Sequence, residues 1–297
     1  MKTHCTPGRT DQDAKARERA ASAEHASPDQ DLLDRRMARI GYKLLVMSGK
    51  GGVGKSTVAA NLAIALSLAG KTVGLLDVDI HGPSIPKLMG LDAGRVVSDD
   101  EGVVPLEVGG NLKVLSIAFF LPSDRDAVIW RGPMKFNAIR QFLTDVNWGP
   151  LDFLVIDAPP GTGDEPLSVA QLTGKPAGAL LVTTPQALAV ADVRRSVAFC
   201  RQVDLPVVGI IENMSGLTCP HCGGRIDLFK TGGGQGLAEE MNVRMLGSIP
   251  LDPRIVTCAD SGVPYIHRFA ESPAAQAFMQ VVNRITETLA PAEPSHR

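Results

Sequence analysis

The sequence predicts an α/β fold built on a mostly parallel, doubly wound sheet, and three observations carry that expectation. Short apolar runs alternate with helical patterns from Tyr42 onward. Several runs are almost continuously apolar, as strands buried on both faces must be. A glycine-rich turn joins the first run to the first helix, and ligands of such sheets sit at the carboxyl ends of the strands.

The expected strands are 43–47, 72–76, 112–116, 153–156, 179–182, 207–211 and 245–249, and the expected helices 56–68, 135–145, 188–202, 236–241 and 274–289. No repeat or linker divides residues 39–290, so one domain is expected there. Residues 1–38 are rich in Ala, Arg, Asp, Glu and Ser and lack aromatics. They are expected to form a mobile leader, with at most a helical stretch around 11–23 and a lone thiol at Cys5. Residues 291–297 read as a disordered tail.

The chain has 297 residues, 44% hydrophobic and 21% charged, enough for a real core. A net charge of −2 gives no electrostatic reason to expect nucleic-acid binding. No apolar stretch reaches the roughly 18–20 residues of a membrane span, and the charged N-terminus lacks the apolar core of a secretory signal. The expectation is a cytoplasmic protein without a membrane partner, whose five cysteines are free, metal-binding or redox-active rather than structurally paired.

The first strand runs into Ser48-Gly49-Lys50-Gly51-Gly52-Val53-Gly54-Lys55-Ser56-Thr57, which contains G-x-x-x-x-G-K-S. Glycines let successive N–H groups turn inward around phosphates, and the following helix adds the positive end of its dipole. Lys55 is expected to reach the β and γ phosphates, and the Ser56 hydroxyl to ligate Mg²⁺. With Lys50 as a second lysine, K-G-G-V-G-K-S-T resembles the deviant Walker A ATPases, the class of nitrogenase iron protein, MinD, ParA and the Mrp/ApbC proteins. The resemblance implies that Lys50 reaches the partner's nucleotide across a homodimer, where a second cation stabilises charge on the transferred phosphoryl group.

The second strand ends in Asp77-Val78-Asp79, two acids on one face of an extended segment. By the same resemblance Asp79 positions water and Asp77 supports the metal shell. Phe153-Leu154-Val155-Ile156-Asp157 reads as a Walker B strand, with Asp157 holding Mg²⁺ through water. The loop 158–165, stiff at Pro159 and Pro160 and free at its glycines, has the composition of a nucleotide switch, and Asp164 in it is a catalytic candidate.

Cys219-Pro220-His221-Cys222 supplies two thiolates, where a closed zinc site or a [4Fe–4S] cluster commonly takes four. Two copies meeting at a two-fold axis would supply the rest. Cys200 and Cys258 stand alone and read as small buried residues. These motifs, together with D-V-D-I-H-G-P-S, I-W-R-G-P-M at 129–134, D-A-P-P-G-T-G-D, T-T-P-Q at 183–186 and I-E-N-M-S, make residues 43–290 resemble the Mrp/ApbC family of iron–sulfur cluster carrier ATPases. That resemblance implies a homodimer carrying a labile [4Fe–4S] cluster on Cys219 and Cys222, ATP hydrolysis coupled to delivery to apo-proteins, and Asn213 near the adenine base.

The sequence departs from the family at Ala158, where Leu or Met is commoner, and in a leader with one cysteine, so a second N-terminal cluster is not expected. A redox disulfide or a structural zinc remains open at C-P-H-C, since thiolates serve each. A zinc-stapled MinD- or ParA-like positioning ATPase is the alternative function. No basic amphipathic tail or cationic face supports that alternative, and an electron-transfer reductase would use single cysteines far apart.

Overall fold

Leu44 and Val46 on the first strand point to one face of the sheet, Leu45 and Met47 to the other, and all four are fully buried. The Walker B strand repeats the pattern, with Phe153 and Val155 on one side and Leu154 and Ile156 on the other. A strand covered on both faces needs apolar residues at every position, which is why these runs are continuous.

The structure is a computed structural model describing residues 28–91, 96–120, 132–219 and 221–290. In order they form α1 (Pro28–Ala38), β1 (Ile40–Ser48), α2 (Lys55–Leu68), β2 (Val73–Asp77), α3 (Ile85–Met89), β3 (Val97–Asp99), β4 (Gly102–Val104), β5 (Leu106–Val108), β6 (Leu112–Ser116), α4 (Gly132–Asp145) and β7 (Leu151–Asp157). There follow α5 (Asp164–Leu172), β8 (Ala177–Thr183), α6 (Ala187–Gln202), β9 (Val207–Glu212), β10 (Leu217–Thr218), β11 (Arg225–Ile226), α7 (Gly233–Glu240), β12 (Met245–Ser248), α8 (Pro253–Asp260), α9 (Tyr265–Arg268) and α10 (Pro273–Leu289). The main sheet has the order β12-β9-β8-β1-β7-β2-β6-β5. It is parallel throughout except for the edge strand β5. The mostly parallel, doubly wound sheet is therefore as predicted.

Helices α2, α8, α9 and α10 cover one face, with Val58, Tyr265, Phe278 and Ile285 in its core. Helices α1, α4, α5, α6 and α7 cover the other through Leu33, Ile139, Val169, Val197 and Leu237. Cys200 and Cys258 are buried in these two cores, as expected.

Residues 28–38, expected to belong to the leader, form α1. Pro28 opens it, Asp29 and Asp31 lie in the first turn and Arg35 and Arg36 in the last, each matched to the helix dipole. Leu33 and Met37, four apart and so on one helix face, are buried in the second core. The possible helix at 11–23, Cys5 and the tail 291–297 lie outside the described residues, as does the 129–131 part of I-W-R-G-P-M. Among the described residues no helix is long and apolar enough to cross a membrane.

Candidate functional site

β1 lies between β7 and β8, and its carboxyl end opens into the phosphate loop. The loop is closed by the Ser48 hydroxyl, which donates to the Lys50 carbonyl at 2.9 Å. Gly49 is required by contact: a Cβ there would lie 2.4 Å from the Asp192 backbone of α6. Gly54 has φ of +82° and would strike the Asn213 amide at 2.3 Å, so both conformation and space demand glycine. Gly51 and Gly52 are exposed, Val53 is buried, and α2 starts at Lys55. A cavity of about 260 Å³ is lined by Lys50, Gly51, Gly52, Gly54, Lys55, Ser56, Thr57 and Asp79.

Parallel registry places Val46 beside Asp157 and Asp157 beside Asp77, so the carboxyl ends of three strands come to one place. Lys55 Nζ lies 2.5 Å from Asp157 Oδ1, 3.3 Å from the Ser56 hydroxyl and 3.7 Å from Asp79 Oδ2. Burial pushes the Asp157 carboxyl above the ordinary range, with Lys55 opposing the rise. Its Oδ2 is buried and has no hydrogen-bond partner among the described residues. An orphaned carboxylate oxygen near the Ser56 hydroxyl is a hard oxygen donor set that fits Mg²⁺.

Asp79 Oδ1 accepts from the N–H groups of His81 and Gly82 at 3.3 Å each, which leaves Oδ2 toward Lys55. Asp77 is used differently. Its oxygens accept from the N–H groups of Asp79, Ser84 and Ile85 and from the Ser116 hydroxyl, so it builds the loop that carries Asp79 rather than facing the cavity. Burial and the nearby Asp157 raise its pKa to about 7. Asp164 does not join this group. It is exposed on the first turn of α5 and does not line the cavity.

The thiol pair lies on a separate excursion, rooted in the same region. Asn213 donates from Nδ2 to the Val53 carbonyl at 2.9 Å, pinning the end of β9 to the phosphate loop. Its neighbour Glu212, fully buried, accepts from the Ser215 hydroxyl at 2.6 Å, Gly232 N–H at 3.1 Å and Gly234 N–H at 2.6 Å. One carboxylate thus ties both ends of the excursion 213–234. Sequence reasoning passed over Glu212, although an acid closing the apolar run Val207–Ile211 is itself a signal.

Within the excursion β10 pairs with β11, and the cysteines turn between them. Cys219 N–H donates to the Gly224 carbonyl at 2.8 Å and Gly223 N–H to the Cys219 carbonyl at 2.9 Å, a knuckle rather than a helix start. Cys222 is exposed and Cys219 partly so. Among the described residues no set of three or more His, Cys, Asp or Glu converges as a metal shell, so among them the two thiols have no further ligand beside them.

The N–H groups of His221 and Cys222, aided by the Cys222 thiol, hold the Cys219 thiol below the ordinary range. In reduced, iron-free protein, alkylation of Cys219 by iodoacetamide should therefore have a pH midpoint below the roughly 8.5 of a free thiol. Peptide mass spectrometry across the pH range reads this. A midpoint at or above the free value would mean that those N–H groups are not directed at the sulfur.

Residues 39–286 match the family described as NUBPL iron-transfer P-loop NTPase, ParA. An iron-sulfur cluster carrier protein of Methanocaldococcus jannaschii is 47% identical over 251 residues, 84% of this chain and 86% of that protein. A cytosolic Fe-S cluster assembly factor NUBP2 homolog of Dictyostelium discoideum is 48% identical over 251 residues, 83% of this chain and 95% of that one. A solved nucleotide-binding protein in complex with ADP from Archaeoglobus fulgidus has a TM-score of 0.73 at 41% identity and covers 84% of this chain and 96% of its own. The family match starts at Arg39, beside β1, and stops at Thr286 in the last helix, so it takes in every strand of the main sheet, and the chain belongs to the NUBPL iron-transfer P-loop NTPases.

Proposed function

We propose that the protein is an ATP-hydrolysing homodimer that carries a labile [4Fe–4S] cluster on the paired Cys219 and Cys222 of two subunits and delivers it to apo iron–sulfur proteins in the cytoplasm. The observation that carries this reading is the Asn213 bond. The segment leading to the thiols is fastened to the phosphate loop itself, so a change in that loop has a direct mechanical route to the cysteines. The carrier and cytosolic names of the relatives support the cargo and the compartment.

In this reading the N–H groups of Gly49–Thr57 cradle the phosphates of ATP, and Lys55 turns from Asp157 toward the β and γ oxygens. Ser56 and, through water, Asp157 would hold Mg²⁺, whose charge offsets that of the phosphates. Asp79 orients the attacking water, which displaces ADP from the γ-phosphorus. Asp77 keeps the Asp79 turn in shape. Lys50, at the rim, reaches the nucleotide of the other subunit. Asn213 lies beside the base, and the segment containing Asp164 moves when phosphate leaves.

The test is anaerobic reconstitution with iron and sulfide, reading iron per sedimenting dimer and absorbance near 400 nm. About four irons per dimer are expected for a bridging cluster, with loss of uptake in Cys222→Ala. Tight zinc with no iron uptake would replace the carrier by a zinc-stapled switch ATPase.

A further inference from the structure

Lys135, His81 and Glu165 come from three separate elements and meet beside the phosphate cavity. Lys135 Nζ, in the first turn of α4, lies 2.6 Å from Glu165 Oε1 and 2.9 Å from His81 Nε2. His81 Nε2 is 3.5 Å from the same carboxylate oxygen. An ammonium group only donates, so the imidazole accepts at Nε2 and keeps its proton on Nδ1. The side chains of Lys135 and Glu165 are 17% and 15% exposed, whereas His81 is 61% exposed. The ion pair is thus largely shielded from water, and the imidazole is held in from the rim.

Each partner is attached to something the reaction needs. His81 belongs to the turn whose N–H groups grip Asp79 Oδ1. Glu165 lies in the first turn of α5 at the end of the loop that leaves Asp157, and that loop is sewn to β1 by Gly161 N–H donating to the Ser48 carbonyl at 2.8 Å. The carboxylate of Glu165 stays below the ordinary range although burial pushes it up, because the Lys135 hydrogen bond, the Glu165 N–H and the Lys135 charge together outweigh the burial. A lysine in the first turn of a helix opposes the helix dipole. No acid in the first turn of α4 compensates it, so the compensation comes from Glu165 on another element. Lys135 directly follows the Arg131-Gly132-Pro133-Met134 stretch, for which the sequence suggested no role.

We propose that Lys135 is a positioning residue for ATP hydrolysis, latching the Asp79 turn to the Asp157 loop through His81 and Glu165. The inference rests on reading the cavity as an ATPase site. Lys135 acts through its two partners: with the latch closed, the Asp79 carboxylate is held at one distance from the phosphate loop and orients the water. With it open, nucleotide still binds but the water is misplaced.

The full-length chain tests this with Lys135→Met, Lys135→Arg and the swap Lys135→Glu/Glu165→Lys. Without nucleotide, Lys135→Met should speed amide exchange several-fold at 79–82 and 161–165 while β1 and β7 stay protected. With Mg²⁺ and ATP, kcat should fall about tenfold while KM stays within about twofold. Lys135→Arg should keep wild-type behaviour, and the swap should recover more activity than Lys135→Glu alone. Lys55→Ala marks the background: a wild-type rate no higher than this would count against the ATPase reading, while the exchange result would still decide the latch. Unchanged exchange at 79–82, or a loss of activity that Lys135→Arg shares, would overturn the latch.

Discussion

Lys55→Ala is expected to cut ATP hydrolysis on the order of 10²–10³-fold, because it removes a preorganised cation from the place where phosphoryl charge develops. The same change should destabilise the nucleotide-free protein by about 3–5 kcal/mol at neutral pH, the usual cost of leaving one partner of a buried pair alone. Lys55 is 7% exposed and Asp157 fully buried, so water does not make good the loss. The pH dependence has a definite sign. Burial already raises the Asp157 carboxyl, and Lys55 is the group that opposes it. Without Lys55 the folded pKa climbs further above the unfolded one, so stability is retained at low pH and lost as pH rises through the folded value. The deficit relative to wild type should therefore be larger at pH 8 than at pH 5.5, as read by urea unfolding beside a phosphate-release assay. An equal deficit at both values would mean that Asp157 is not left as an uncompensated buried charge.

Glu212→Ala is the second large effect, and it concerns the arm that carries the thiols. The carboxylate is fully buried and accepts three hydrogen bonds, two from main-chain N–H groups on the far side of the excursion. Removing it strands those two main-chain donors at about 1–3 kcal/mol each, so the excursion should loosen by roughly 2–6 kcal/mol. Gly234 also packs against the Glu212 carboxylate, where a Cβ would sit 3.2 Å from Oε2, so a void adds to the loss. Proteolysis and amide exchange should rise between 216 and 231 while strands β1, β7 and β8 remain protected. Unchanged cleavage in the excursion would show that Glu212 is not its anchor.

Local patterns were legible wherever a few neighbouring residues carry the whole requirement. The phosphate loop is one: its strand, glycines, lysine and helix are contiguous, and Gly49–Thr57 forms the loop expected of it. The apolar strands are another, because burial on both faces leaves no room for polar interruptions. Helix α1 was not legible. Leu33 and Met37 are two apolar residues in a charged stretch, and only the groove beside α4 and β1 makes them a buried face. The β10–β11 pair was missed because two-residue strands have no period to read.

The sequence by itself determined the phosphate loop, since its glycines, lysines and helix start lie within one short stretch of chain. It also determined the sheet and the presence of a thiol pair. The tertiary structure decided what each acid does. Asp77 and Asp79 are two residues apart, yet one is spent on main-chain N–H groups and the other faces Lys55. It also decided which distant groups meet. Lys135 is 54 residues from His81 and 30 from Glu165, and Asn213 is 160 from Val53. Such contacts depend on strand order and on which helix ends lie together, and the strand order β8-β1-β7-β2 is set by packing of the whole sheet rather than by any short stretch of chain.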